Sequence, residues 1–134
     1  KGFVGIGSAP EFISRLMWKK FNKKVKYEII KNKVCKIKIE NYEYMISHQL
    51  IKDGKKNKNK VLNKKIKSNI YVTMIHGKKD EVVPIHYSKK VLNIFTQAEK
   101  KLKIVKKGDH SLSSNKNLKL IIKELNLIVQ KIIN

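Results

Sequence analysis

The apolar residues of this chain form short continuous runs and longer helical stripes. Runs over residues 2–6, 70–75 and 102–105 predict three strands. The second run lacks regular polar alternation, which is typical of a parallel strand buried on both faces. One helical stripe follows the second run and another follows the third; their members are Tyr87, Val91, Leu92 and Phe95, and then Leu118, Ile121, Ile122, Leu125, Val129, Ile132 and Ile133.

The order of these elements predicts the fold class. Strands alternate with helices, and a longer insertion follows the first strand. Such alternation builds a parallel sheet through right-handed crossovers, with helices on both faces. We therefore expect an α/β fold in which residues 1–10 supply a core strand and loop, residues 11–69 form the insertion, and residues 70–134 form the C-terminal core.

The insertion is expected to contain short elements. Ser8 and Glu11 are placed as in a helix start, with Ser8 as the cap. Residues 34–40 alternate between apolar residues and lysine, which predicts a half-exposed extended segment. Residues 42–50 are ambiguous but can form a helical stripe, and the Lys/Asn-rich residues 52–69 predict a solvated loop.

The chain is strongly basic, with a formal net charge of +22. Such an excess ordinarily suggests nucleic acid or an anionic membrane as a partner. Arg15 is the only arginine, however, although the planar arginine fork is well suited to gripping phosphate. The abundant Lys, Ile and Asn are residues of A/T-rich codons, so base composition accounts for the charge and we do not expect a nucleic-acid partner.

Cysteine content and hydropathy bear on location. Cys35 is the only cysteine, which rules out an intrachain disulfide and fits a reducing, cytoplasmic location. No apolar run approaches the roughly 20 residues that span a bilayer. The first residue is Lys1 rather than methionine, so we expect the sequence to begin inside a longer reading frame.

Two polar segments follow the second and third predicted strands. His76-Gly77-Lys78-Lys79-Asp80-Glu81-Val82-Val83-Pro84 comes after the first of these strands, and Gly108-Asp109-His110-Ser111-Leu112-Ser113 comes after the next. Functional groups of parallel sheets collect at the carboxyl ends of the strands. We therefore expect Asp80 and His110 to lie on the same rim of the sheet.

These segments resemble the loops that hold the acid and the histidine in the α/β-hydrolases. The first is similar to the H-G-x-x-D-x-x-V-P segment of that family and the second to its G-D-H loop. The resemblance implies that the chain is the C-terminal half of an α/β-hydrolase, with Asp80 and His110 as catalytic residues. It also implies that the triad serine lies upstream of residue 1, because triad members in this fold run Ser, Asp or Glu, His.

A wider resemblance is to bacterial hydrolases similar to the mitochondrial palmitoyl-protein thioesterase group. It rests on Val4-Gly5-Ile6-Gly7-Ser8-Ala9-Pro10-Glu11-Phe12, Leu16-Met17-Trp18 and Leu50-Ile51-Lys52-Asp53-Gly54. It implies that residues 11–69 form a cap, in which Trp18, Tyr42, Tyr44 and Met45 either shape an acyl pocket or pack the cap. The implied substrate is a small acyl ester or thioester, or an S-acylated protein.

The implied chemistry assigns a role to each residue. His110 would take the proton of the serine hydroxyl and later return it to the leaving group, and Asp80 would hold the imidazole in the right tautomer. No serine of this chain stands in G-x-S-x-G, so we expect the chain alone to be inactive. The alternative is an inactive remnant of a split hydrolase gene, at most a basic binding module.

Other residues are weaker candidates. Glu81 and Asp109 flank the pair and could replace Asp80 as the acid, although aspartate at position 109 is also typical of a turn. His76, at the end of a buried strand, is expected to pack or to hydrogen-bond locally. His48, His86 and Cys35 have no partner visible in the sequence. The histidines show no metal-ligand spacing, so neither a metal nor a cofactor is expected.

Overall fold

A computed structural model describes residues 1–39 and 42–134. In chain order its elements are β1 (Gly2–Ile6), a π-helical turn (Ile13–Met17) that continues into α1 (Trp18–Lys20), α2 (Lys23–Asn32), β2 (Val34–Ile39), β3 (Tyr42–Ser47), α3 (His48–Lys56), β4 (Tyr71–Gly77), α4 (His86–Ile94), β5 (Glu99–Val105) and α5 (Asn115–Ile133). The chain divides into two compact units, one of residues 1–10 and 62–134 and the other of residues 11–61.

The first unit contains a three-stranded parallel sheet in the order β1-β4-β5. Its central strand is β4, which pairs Ile75 with Ile6 of β1 and Gly77 with Val105 of β5. All residues of β4 after Tyr71 are buried. The predicted parallel α/β architecture is therefore confirmed, with the continuous apolar run at its centre.

Helices cover both faces of β4. Val72 and Met74 pack against the apolar residues of α4 on one face, and Ile75 packs against Ile121 of α5 on the other. The division follows from strand geometry, because alternate side chains of a strand point to opposite faces. Among the described strands β1 pairs only with β4, and its Phe3 and Ile6 side chains stay 38% and 44% exposed.

The second unit has its own apolar core. The strands β2 and β3 form an antiparallel pair, and the buried core residues are Ile29, Cys35, Ile46 and Ile51. Glu11 ties the two ends of this unit together, because its carboxylate accepts hydrogen bonds from the Arg15 side chain at 2.5 Å and from the Val61 amide at 3.0 Å.

Several expectations for this region were wrong. Helical structure begins at Ile13, after Phe12, and no side chain caps it, so Ser8 is not a helix cap. The helix α2 was not predicted. Residues 42–47 form a strand rather than a helical stripe, and α3 extends to Lys56 through the segment predicted as loop.

Tertiary packing explains the last of these errors. Gly54 lies within α3, where a Cβ atom would come 2.4 Å from Cγ2 of Ile13, so this helix position needs a glycine. The predicted extended segment over 34–40 forms β2 up to Ile39, and Glu40 lies outside the described residues. The side chain of Tyr42 is not described either, Trp18 is half-buried, and Tyr44 and Met45 are exposed.

None of the helices in the described part of the chain combines the length and the apolar character that a membrane crossing needs.

The carboxyl end of β4 approaches the loop after β5 very closely. A Cβ atom on Gly77 would lie 2.2 Å from the Asp109 carbonyl oxygen and 2.5 Å from that of Gly108. Neither atom can yield easily, because both belong to the backbone. A glycine at position 77 is thus a condition for bringing the two loops together.

We expect Gly77→Ala to destabilise the first unit, because the added methyl group overlaps backbone oxygen atoms. The expected loss in the free energy of unfolding is about 1–3 kcal/mol, the usual cost of overpacking. Urea denaturation measures it, and Lys78→Ala at the exposed neighbouring position is the control. Equal stability of the two variants would show that the loops separate at little cost.

Candidate active site

Backbone hydrogen bonds join the loops that follow β4 and β5. The Lys78 amide donates to the Val105 carbonyl at 2.9 Å, and the Lys79 amide donates to the Gly108 carbonyl at 2.9 Å. These bonds extend the pairing of the two strands beyond their ends. The residues that follow, Asp80 and His110, are therefore held side by side.

The carboxylate of Asp80 is buried and receives hydrogen bonds from its own loop. Its Oδ1 atom accepts from the Val82 amide at 2.9 Å and from the Val83 amide at 2.7 Å, and no part of the side chain is exposed. This is the local turn that aspartate favours when its side chain bonds to backbone two or three residues ahead. The turn leaves Oδ2 directed at other partners.

His110 is the first of those partners. Its Nδ1 atom lies 2.9 Å from Oδ2 of Asp80, and its side chain is 44% exposed. A carboxylate can only accept, so the hydrogen bond assigns the ring proton to Nδ1 and leaves Nε2 as an acceptor. No described residue hydrogen-bonds to Nε2. The ring lies near the backbone of Gly7, where a Cβ atom would stand 3.5 Å from Nδ1.

The surroundings of Asp80 favour its charged form. Burial raises the pKa of this carboxyl group, but the Val83 amide, the hydrogen bond and charge of His110, and the Val82 amide together outweigh burial. The pKa of Asp80 is therefore held below its usual range. An ionised carboxylate beside Nδ1 stabilises a positive charge on the His110 ring.

A second histidine lies behind the carboxylate. His76 is fully buried, and its Nε2 atom is 2.8 Å from the Val83 carbonyl oxygen and 3.1 Å from Oδ2 of Asp80. Its Nδ1 atom is 2.6 Å from Oγ of Ser88 on α4. The expectation that His76 hydrogen-bonds locally is met, but the sequence offered no signal for Ser88 or for the contact with Asp80.

Asp109 shapes the loop that carries His110. Its Oδ1 atom accepts from the Leu112 amide at 2.9 Å and from the Ser111 hydroxyl at 3.2 Å. Leu112 has a positive φ of 48° and is fully buried against Ile75 and Ile121. The carboxylate is thus engaged in its own turn, whereas Asp80 contacts the ring of His110.

Among the described residues, no contact joins His86, His48 or Cys35 to this pair. Glu81 is exposed beside Asp80, and the ring of His86 packs on that of Tyr87 at 4.7 Å. His48 begins α3 in the second unit. Cys35 is buried there, where the hydrogen bond to Glu28, followed by burial, raises the pKa of its thiol and disfavours the reactive thiolate.

Across residues 1–39 and 42–134, no three His, Cys, Asp or Glu side chains cluster in a way that could hold a metal ion. Ser8 follows β1, and a Cβ atom on Gly5 would lie 2.7 Å from its Oγ atom.

The parallel sheet between helices, with Asp80 and His110 on neighbouring loops at its carboxyl rim, has the fold of part of an α/β-hydrolase. Two solved structures support this assignment. One is a candidate hydrolase from Agrobacterium vitis S4, which matches with a TM-score of 0.83 at 23% sequence identity. The other is alpha/beta hydrolase domain-containing protein 10 from mouse, with a TM-score of 0.78 at 21% identity.

Each match covers nearly all of this chain but only about half of the other protein. The A. vitis match covers 96% of this chain and 49% of that protein, and the mouse match covers 98% and 52%. The chain therefore spans about half the length of the solved structures it matches and carries part of the hydrolase fold. No protein-family model and no curated protein sequence matches it.

The lowered pKa of Asp80 predicts a pH-dependent contribution to stability. The pKa in an unfolded chain is about 3.9, so the ionised group stabilises the fold above that value and the contribution is lost as the pH falls through the folded-state pKa. We expect Asp80→Asn to be less stable than the wild type near neutral pH, with a difference that shrinks in acid.

Urea denaturation at neutral and acid pH measures this difference. The control is Asp53→Asn, the same change at an exposed position of α3, for which we expect a small effect. A stability loss for Asp80→Asn that stays constant from neutral to acid pH would contradict the assignment of the charge to Asp80.

Proposed function

We propose that this chain supplies the acid and the base of a serine hydrolase that cleaves an ester or a thioester. His110 accepts the proton of a serine hydroxyl through Nε2 and then protonates the leaving group. Asp80 fixes the tautomer and stabilises the imidazolium. The serine and the oxyanion hole are proposed to lie on residues outside this chain.

The contact between His110 and Asp80 carries the proposal. Nδ1 is 2.9 Å from a buried carboxylate oxygen, while the ring is 44% exposed and Nε2 has no described partner. The buried His76, in contrast, uses both of its ring nitrogens. The open nitrogen is what a general base needs.

The lack of a nucleophile within the chain fits the partial match to the solved structures. No serine of the sequence stands in the G-x-S-x-G pattern of the strained turn that exposes a nucleophile. The chain also spans only about half of each matching structure. We propose that the remaining half of the fold brings the serine to Nε2 of His110.

The substrate class and the second unit rest on the family resemblance. We propose a small acyl ester or thioester, or an S-acylated protein, as the substrate, and a cytoplasmic location. Residues 11–69 follow the first strand in chain order, as a cap does in the resembling hydrolases, and we propose that they form the cap, most of which is the second unit of residues 11–61.

Two substitutions test the catalytic pair in the polypeptide that carries residues 1–134 together with its serine. We expect His110→Ala to abolish turnover. We expect Asp80→Asn to lower kcat by about 10⁴-fold, the effect of this change in a well-studied triad, because the carboxamide favours a proton on Nε2. Steady-state kinetics on a p-nitrophenyl ester and an acyl thioester measures both.

Asp109→Asn is the matched control for that experiment. Its carboxamide oxygen can still accept from the Leu112 amide, so activity should stay within a few-fold of the wild type. Activity that survives in Asp80→Asn and is lost in Asp109→Asn would transfer the role of the acid to Asp109.

A further prediction concerns residues 1–134 expressed alone. Since no serine of this chain stands in G-x-S-x-G, we expect neither ester hydrolysis nor labelling by a fluorophosphonate probe, as judged by intact-protein mass spectrometry. Stoichiometric labelling of Ser8 would place the nucleophile within the chain.

The DNA upstream of the codon for Lys1 separates the two proposals. An in-frame G-x-S-x-G there would support the enzyme, and a stop codon would support the split-gene remnant.

A further inference from the structure

The buried histidine of β4, His76, contacts the candidate acid Asp80 and also Val83, whose amide binds that acid. His76 lies within hydrogen-bonding distance of the Val83 carbonyl, and the Val83 amide donates to Oδ1 of Asp80. Both backbone polar groups of Val83 are therefore hydrogen-bonded. The same Nε2 atom of His76 is 3.1 Å from the other carboxylate oxygen, Oδ2.

The partners of His76 determine its tautomer. A carbonyl oxygen and a carboxylate oxygen can only accept, so the atom that faces them, Nε2, carries the proton. In the neutral ring Nδ1 then accepts the hydroxyl proton of Ser88, at 2.6 Å. Ser88 is itself fully buried on α4, and this helix packs against β4.

These contacts form one continuous path from α4 to the base. The Ser88 hydroxyl donates to His76, His76 donates to the Val83 carbonyl, the Val83 amide donates to Asp80, and Asp80 accepts from His110. Ser88, His76 and Val83 are buried, so water cannot replace any of these hydrogen-bond partners. A polar group left unpaired in such a place is destabilising, which keeps the path intact.

We propose that His76 is a positioning residue for the Asp80–His110 pair, with Ser88 holding His76 in the required tautomer. This inference rests on the proposed function for its catalytic meaning. His76 touches neither the substrate nor the reacting atoms and acts only through the Val83 turn and the carboxylate. It keeps Oδ1 paired with two amides and Oδ2 directed at Nδ1 of His110.

The alternative is that His76 only fills space in the core. Two variants separate these possibilities. The side-chain amide nitrogen of glutamine can take the position of the histidine Nε2 atom, and that of asparagine can take the position of Nδ1. His76→Gln can still donate to the Val83 carbonyl, whereas His76→Asn retains a polar group only toward Ser88. If His76 merely fills space, the two substitutions should affect Asp80 equally.

The experiment is NMR on the polypeptide that carries residues 1–134, which requires no activity. We expect His76→Asn to raise the titration midpoint of the Asp80 carboxyl carbon and to speed exchange of the Val83 amide by about tenfold, as for the loss of one hydrogen bond. We expect both values to stay near wild type in His76→Gln.

Ser88→Ala is the milder variant for the case in which His76→Asn does not fold. It removes the partner of Nδ1 and should change both values in the same direction by a smaller amount. Among the described side chains, the titratable groups that contact the Asp80 carboxylate are His76 on β4 and His110 in the loop after β5, and Ser88→Ala alters neither.

Wild-type values for Asp80 and Val83 in a folded His76→Asn or Ser88→Ala variant would overturn the proposal. Equal changes in His76→Asn and His76→Gln would overturn it as well. If these NMR values respond as expected in a polypeptide that hydrolyses no ester or thioester, the positioning role stands and the proposed function fails.

Discussion

The arrangement of this site depends on the buried charge of Asp80. A carboxylate removed from water is tolerated only when hydrogen bonds and opposite charge replace its hydration. Here two backbone amides satisfy Oδ1, and two histidine rings, those of His76 and His110, approach Oδ2. The turn after β4 and the loop after β5 therefore converge on the carboxylate of Asp80.

That convergence is possible because β4 and β5 are parallel neighbours. Their carboxyl ends meet at one rim, so residues distant in the chain become adjacent there. The final approach depends on Gly77, where a side chain would overlap the Gly108 and Asp109 carbonyls. Leu112, with its positive φ, anchors the far end of the loop in the core below.

Much of the core and of the candidate site was predictable from the sequence. The apolar run of β4 is continuous because both faces of the strand are buried, and the stripes of α4 and α5 repeat with the helical period because each helix buries one face. Asp80 and His110 stood in motifs with recognisable neighbours. The insertion was harder, because α2 is rich in lysine and the glycine of α3 is explained only by its contact with Ile13.

The contact of His76 with Asp80 illustrates what pattern alone does not contain. A histidine at the end of a buried strand is compatible with packing, with a local hydrogen bond or with catalysis, and only its distances to Val83, Ser88 and Asp80 distinguish them. The hydrogen bonds that hold Asp80 and His110 all arise within the unit of residues 1–10 and 62–134. The residues of the second unit are therefore not needed to hold Asp80 and His110 together, and under the proposed function a serine has only to reach the exposed ring of His110.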